Sequence, residues 1–383
     1  MNLRSITFFA NKEDFSVSSG KSLDKFSAII NELKDSNLEP RTIRLTLPSI
    51  SLNASEDFNL DISASSKWYH QCLEKDFRWV NQPFSISSGV KMGREEKNIV
   101  SSLITKKDKL FSSINVNTEF KIREASDLYS SICKSISRGD KDRGFSNFRF
   151  GIGFNILEYT PFFPFSHGSE TSFSIALESY EIFEEAINNG ESQESISMIL
   201  KKKLEEISVE IEEISLKHNL TFKGFDWSLA PMPNSSMSVV KLIEKMSGNL
   251  IGSSGSLSAI SALTSCLKYP LYNSKKVKGV GFNGVMLSVL EDDVLSKRFE
   301  HRQVKVNDLL LYSSVCGCGL DMIPLSGDTP EVAISGYSID TGSLAFKLNK
   351  PLGVRFLPIT HLRDGQRTEF NHDFLNNTSI ISL

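Results

Sequence analysis

No apolar run reaches the roughly 18 residues that a membrane-spanning helix needs, so no segment is expected to cross a bilayer. Charge of either sign is not in surplus: 43 basic against 46 acidic residues leave a net charge of −3. Without a basic stripe, nucleic acid is not an expected partner. The short runs at Lys106–Lys109 and Lys201–Lys203 read as solvated faces. Cysteines are few: Cys72, Cys133, Cys266, Cys316 and Cys318 are odd in number and widely spaced for the most part, which argues against a disulfide framework and for a reducing compartment. The first ten residues alternate as a strand does and carry no apolar stretch of secretory-signal type, so a cytoplasmic location is expected. Tryptophan is scarce, 3 against 26 Phe, and the aromatic content goes mostly to packing. Pro/Gly-rich linkers, low-complexity tracts and internal repeats are all missing. One domain over residues 1–383 is therefore favoured over two.

What is present is an alternation of helix and strand patterns, which points to α/β architecture. Leu23, Phe26, Ile29, Ile30 and Leu33 recur at helical spacing after Ser22, a candidate cap. Residues 41–47 and 147–154 alternate as strands. From 192 to 217, Ile196, Leu200, Leu204, Ile207, Ile211 and Ile214 form one apolar stripe with Lys and Glu opposite, the pattern of a long surface helix. Beyond it the patterns predict strands over 222–229, 278–290, 320–325 and 353–359, and helices over 256–267, 307–315 and 329–348. A single large α/β barrel is the expected fold, because a barrel buries one continuous core along a chain of this length.

Five segments carry candidate chemistry. The first, 155–167, follows a strand and is stiffened by Pro161 and Pro164. It places Asn155 as a substrate contact and His167 as a base or metal ligand, the alternative being a loop histidine satisfied by backbone. In the second, 224–234, Asp226 and Ser228 sit in an otherwise apolar strand. A buried acid there must be paired, hydrogen-bonded or functional. The third, Gly252–Ser256, leads into a helix start but lacks the ending of a nucleotide P-loop. The fourth is the acidic run Glu291–Asp293, whose hard oxygens suit a divalent cation, although such runs more often face solvent. The fifth, 316–330, holds Cys316, Cys318, Asp321, Asp328 and Thr329. Its thiols are either reactive or small buried groups, and Asp328 reads as the cap of the next helix with Glu331 at its third position.

Within this last segment, Cys-Gly-Leu-Asp-Met-Ile-Pro-Leu-Ser-Gly-Asp-Thr-Pro at 318–330 resembles the signature of the uncharacterised family DUF711, also called UPF0210. Asn155 with Thr-Pro-Phe-Phe-Pro at 160–164, Phe-Asp-Trp-Ser-Leu-Ala-Pro-Met-Pro at 225–233 and Asn-Lys-Pro-Leu-Gly-Val-Arg at 349–355 are similar to three more, in the family's order. The resemblance is firmest over 147–358; before that only Arg-Thr-Ile-Arg-Leu at 41–45 looks familiar. The chain is shorter than typical members, and Ser326 stands where Pro is usual. The resemblance implies the barrel fold of pyruvate formate-lyase and other glycyl radical enzymes, but no settled reaction. Ser335-Gly-Tyr337 superficially resembles a radical glycine site, yet Gly336 falls among packing positions of a predicted helix, and a radical glycine needs a buried loop.

The expectation is an enzyme acting on a small anionic metabolite at the barrel mouth by acid–base or metal-assisted chemistry. Asp226, Asp321, His167 and Cys318 are the candidate catalytic groups, and Asn155, Ser228, Asp328, Thr329 and Arg355 the substrate contacts. A divalent metal, unidentified, would have Asp226, Asp321 and Glu291 as candidate ligands. The alternatives are a non-catalytic metabolite-binding or regulatory protein and a scaffold acting through the 192–217 helix. A homodimer is a candidate assembly.

Overall fold

In the computed structural model, residues 1–15, 20–52, 56–75, 77–86, 93–141, 143–233 and 237–383 are described. Alternation in the N-terminal strand sends Phe8 onto Phe26 of the helix Gly20–Asp35, with ring centroids 4.5 Å apart, and Thr7 to the opposite face. Ser22 lies inside that helix rather than at its cap. Among the described residues nine more strands join the first in one sheet. They are β1 (Leu3–Phe9), β2 (Ile43–Thr46), β3 (Ile50–Leu52), β4 (Trp79–Ile86), β5 (Leu110–Val116), β6 (Phe150–Phe154), β7 (Ser172–Leu177), β8 (Thr221–Asp226), β9 (Gly319–Ser326) and β10 (Leu352–Ile359). The order is β8-β7-β1-β2-β4-β5-β6-β10-β9, with β3 on β4. β1 to β6 run parallel; β7 meets β1 antiparallel on one flank and β10 meets β6 antiparallel on the other.

Both flanks bond to one segment. Phe225 N–H of β8 donates to Lys278 O at 2.8 Å, and Leu229 N–H donates to Gly284 O at 3.0 Å. On the other side Val289 N–H donates to Asp321 O of β9 at 3.1 Å. The continuous strand expected over 278–290 is absent; it makes only isolated bridges at Gly279, Val285 and Ser288. The reason is local. Gly281 and Asn283 both take positive φ, 73° and 43°, so the pleat cannot run through them.

Helices cover one face of the sheet. The helix Gln193–His218, capped by Ser192 whose hydroxyl accepts from Ser195 N at 3.1 Å, buries the predicted stripe. The other face receives the proline-stiffened loop after β6. Thr7 Oγ1 donates to Pro161 O at 3.1 Å, Thr46 Oγ1 lies 2.6 Å from Ser166 Oγ, and Asn81 Nδ2 donates to Ser166 O at 2.6 Å. Phe165 lies over Gly151, Gly153 and Gly353; a Cβ at Gly353 would stand 2.4 Å from its ring. These glycines admit the ring because they have no side chain, so the loop is packed against the sheet. Among the described residues no helix is long and apolar enough to cross a membrane.

Candidate functional site

Beside that loop, the same face of the sheet borders a cavity of about 250 Å³. Its position follows from strand starts. Arg4 comes from β1, Arg44 from β2, and Arg41 and Arg78 from the residues just before β2 and β4. The cavity therefore lies at the amino ends of the parallel strands, not at the carboxyl ends where open α/β sheets place their ligands. Segment 230–232 after β8 and the C-terminal stretch with His372 and Phe374 close its sides.

β9 and β10 contribute the opposite wall through an irregularity. Leu320 pairs with Val354 and Ile323 with Phe356, so Asp321 and Met322 together oppose the single residue Arg355, a β-bulge. Met322 is fully buried with φ 56°, a conformation that costs a non-glycine residue roughly 1–3 kcal/mol. The bulge aims Asp321 along the face that carries Arg355. There Arg355 grips the carboxylate with two bonds, Nε to Oδ1 at 2.5 Å and Nη2 to Oδ2 at 2.7 Å, and it reaches Glu291 at 3.4 Å. Burial opposes the charge on Arg355, but Asp321 and Glu291 outweigh it and hold the guanidinium above its ordinary value.

The remaining guanidiniums are held differently. Arg4 donates to the carbonyls of Ala230 and Pro231 at 3.3 and 2.8 Å. Arg44 donates to Pro161 O at 3.3 Å and lies over Phe163, and Arg78 lies 5.4 Å from the Trp79 ring centre and 4.9 Å from that of Phe374. Among the described residues none of these three has a carboxylate within 4.0 Å. Burial pulls Arg4 below its ordinary value. Burial and then the neighbouring Arg4 bring Arg44 to about 9. A guanidinium does not give up its proton at that cost; the shift reflects first the loss of water around a buried charge and, for Arg44, the neighbouring Arg4. Five arginines and two carboxylates line the cavity, with Glu178 paired to Arg41 behind it at 2.8 Å. Ser288 Oγ, buried in the same wall, has no hydrogen-bond partner among the described residues.

Of the residues expected to form the site, Asp321, Arg355, Cys318 and Glu291 line this cavity. Asp226 and Ser228 do not. They are fully buried side by side, and Asp226 accepts from Ser228 Oγ (2.6 Å), Ser228 N (3.0 Å), Phe282 N (2.7 Å) and Asn283 N (3.1 Å). Burial raises its carboxyl while these donors pull it back. Asp226 thus ties the 278–284 turn to β8. Asp226→Ala is expected to leave three backbone amides, Ser228, Phe282 and Asn283, without acceptors, at about 1–3 kcal/mol each, read as a lower urea midpoint. A variant of unchanged stability would contradict that role. His167 holds Nδ1 3.1 Å from Phe165 O, and burial lowers its imidazole. Asn155 is half-buried and donates to Asn349 Oδ1 at 3.3 Å. Asp328 is exposed and paired with Arg363 at 2.7 Å; Pro330, not Asp328, occupies the cap of the helix Glu331–Lys347. Thr329 is buried beyond the far end of β9. Gly336 lies inside that same helix, and Asn234 lies outside the described residues.

Sequence reasoning missed Arg4, Arg41, Arg44, Arg78, Ser288 and His372. One signal was available: over residues 42–46 the positions alternating with Ile43 and Leu45 are Thr42, Arg44 and Thr46. Among the described residues no three His, Cys, Asp or Glu side chains gather to hold a metal ion. Asp226 spends its carboxylate on four N–H and O–H donors away from the cavity, and Asp321 is gripped by Arg355. The three candidate ligands therefore do not gather around one cation.

These features define a mixed α/β chain with an arginine-lined cavity on the sheet face away from its helices. The family model described as Uncharacterised ACR (DUF711) matches residues 41–371, and the chain belongs to that family. It is similar to the UPF0210 protein of Lactobacillus helveticus, 30% identical over 189 residues that make up 48% of this chain and 42% of that protein. It is also similar to those of Neisseria gonorrhoeae, 28% identical over 59% of this chain and 52% of that protein, and Pyrobaculum aerophilum, 28% over 55% and 49%. The chain thus spans about half the length of these relatives.

Proposed function

We propose that the chain binds a small metabolite carrying at least two negative charges in the arginine-lined cavity and acts on it by proton transfer. The observation that carries this is the set of three guanidiniums, Arg4, Arg44 and Arg78, which face one cavity with no ion-pair partner among the described residues. Planar N–H forks resting on aromatic rings are pre-organised for phosphate or carboxylate oxygens. Asp321 is bound twice by Arg355 and serves to position it. Glu291, touched only at 3.4 Å, keeps acceptor capacity for a proton from the ligand. The thiol of Cys318, in the same lining, can donate one.

Closure of the sheet into a barrel belongs to the same proposal. The bonds from both flanks to segment 278–290 support it, as does the loop packed against the inner face, and a single closed unit over the chain follows. A second reading, a binding protein without turnover, is favoured by the double grip on Asp321, which leaves Glu291 as the one lining carboxylate with spare acceptors.

Thermal-shift measurements with inorganic phosphate, pyrophosphate and citrate test the site. At least one is expected to raise the melting temperature, less so at high ionic strength. No shift with any of them would overturn the proposal. Following a panel of phosphate esters and dicarboxylates by NMR separates the readings: consumption by the wild type that disappears in Glu291→Gln with binding retained supports catalysis, and stabilisation without consumption supports binding alone.

A further inference from the structure

The cavity that gathers the arginines is also walled by aromatic rings. Phe111 of β5 meets Trp79 of β4 at 5.4 Å and 80°, Phe148 at 5.7 Å and 90°, and Phe163 at 5.6 Å. All four line the cavity, as does Phe374. Two of these contacts are edge-to-face, the arrangement in which aromatic rings attract beyond the area they bury. The cations touch the same rings. Arg44 stands 5.3 Å from the centre of Phe163, and Arg78 stands over both Trp79 and Phe374. Phe163 and Trp79 therefore each meet an arginine on one side and Phe111 on another, which makes the cationic and aromatic surfaces contiguous. Trp79 and Phe374 are only half-buried, so part of their ring surface is left for a ligand.

On the footing of the anion site proposed above, we infer that the ligand of this cavity is a small aryl dianion. Its body is a single aromatic ring with a doubly charged acid group joined to it, and phenyl phosphate is the simplest example. A bare anion such as phosphate would use the guanidiniums and leave the aromatic wall facing water, which is unfavourable in proportion to the apolar area left wet. Ligand sites are mostly apolar, with a few polar groups that fix orientation; here the arginines are those groups. Contiguity limits the length of the ligand. Because the same rings touch both surfaces, a ligand that meets the two at once needs no spacer, and its acid group sits on the ring or one atom from it. Volume limits the ring system. About 250 Å³ lies below the roughly 300–1,000 Å³ of sites for drug-sized ligands, which favours one ring over the base, sugar and phosphate of a nucleotide. Flatness matters too. A planar ring continues the edge-to-face packing of Phe111 with Trp79 and Phe148, whereas a puckered ring of the same size buries area without that electrostatic gain.

The test is titration calorimetry of the full chain with phenyl phosphate, methyl phosphate, cyclohexyl phosphate and phenol, at constant ionic strength and about pH 8, where a phosphate monoester carries two charges. Phenyl phosphate is expected to bind about tenfold or more tightly than methyl phosphate. Cyclohexyl phosphate should bind about two- to tenfold more weakly than phenyl phosphate, and phenol, which lacks the charge, roughly 100-fold or more weakly. Phenyl phosphate should also change the tryptophan emission through Trp79, which lines the cavity while Trp68 and Trp227 do not. In Trp79→Phe that signal should vanish while binding by calorimetry persists. Equal affinity for phenyl phosphate and either methyl or cyclohexyl phosphate overturns the aryl assignment and leaves the anion site standing. An emission change that persists in Trp79→Phe places the ring elsewhere and overturns it too. Phenol as tight as phenyl phosphate, or no binding by any of the phosphates, overturns the aryl assignment and the anion site together. The wild-type affinities decide alone if the variant fails to fold.

Discussion

Replacing Arg355 by methionine is expected to lower the free energy of unfolding by about 3–5 kcal/mol, because it leaves a buried carboxylate without its partner. The side chains of Arg355 and Asp321 are only 8% and 9% exposed, so water cannot take over the role of the lost guanidinium. The measurement is a urea titration of wild type and variant under the same buffer. A second variant separates the charge from the packing. Arg355→Met combined with Asp321→Leu removes both charges, and most of the loss is expected to return, since an apolar pair of similar volume is often as stable as a buried ion pair. A single-variant loss below about 1 kcal/mol, the worth of an exposed pair, would mean that the bulge at Met322 does not bury this contact as described.

The arginines without carboxylate partners should behave in the opposite way. Arg44→Ala is expected to leave stability within about 1 kcal/mol of wild type, since the charge it removes is crowded rather than paired. Its effect belongs to the ligand. A charge-assisted fork to an oxyanion contributes about 1.5–3 kcal/mol, so affinity for inorganic pyrophosphate by titration calorimetry should fall roughly 10- to 100-fold. Arg4→Ala combined with Arg44→Ala should lose on the order of a thousandfold or more. Arg44→Lys keeps the charge but not the planar fork and should fall between wild type and Ala. Unchanged affinity in the double variant would remove these side chains from the site.

Much of the architecture was legible because its periodicity survives on the helix-packed side of the sheet. The stripe from Ile196 to Ile214 and the apolar run of β10 announce their elements. β4, β5 and β7 were not recognised. Their inner faces carry Asn81, Ser113, Asn115, Ser172 and Ser174, toward the face where the proline-stiffened loop packs, and these polar positions break the apolar pattern of a buried strand. The 278–290 stretch misled in the opposite direction: it is apolar enough for a strand, but Gly281 and Asn283 turn the backbone at positive φ. The site divides in the same way. Asp321, Arg355 and Cys318 stood within recognisable motifs and do share one cavity. Asp226, in an equally distinctive motif, is consumed by four hydrogen bonds that hold a turn. The arginines that dominate the cavity come from the first 80 residues, where isolated cations at strand starts look like ordinary surface. Only the folded sheet shows that they converge.

A tungstate soak of crystals, read by anomalous diffraction, tests this convergence directly. A strong peak is expected within hydrogen-bonding reach of Arg44 and at least one of Arg4 and Arg78, in the wall shared with Ser288, and is expected to be lost in the Arg4/Arg44 double variant. Peaks confined to exposed lysines, with none in this cavity, would contradict it.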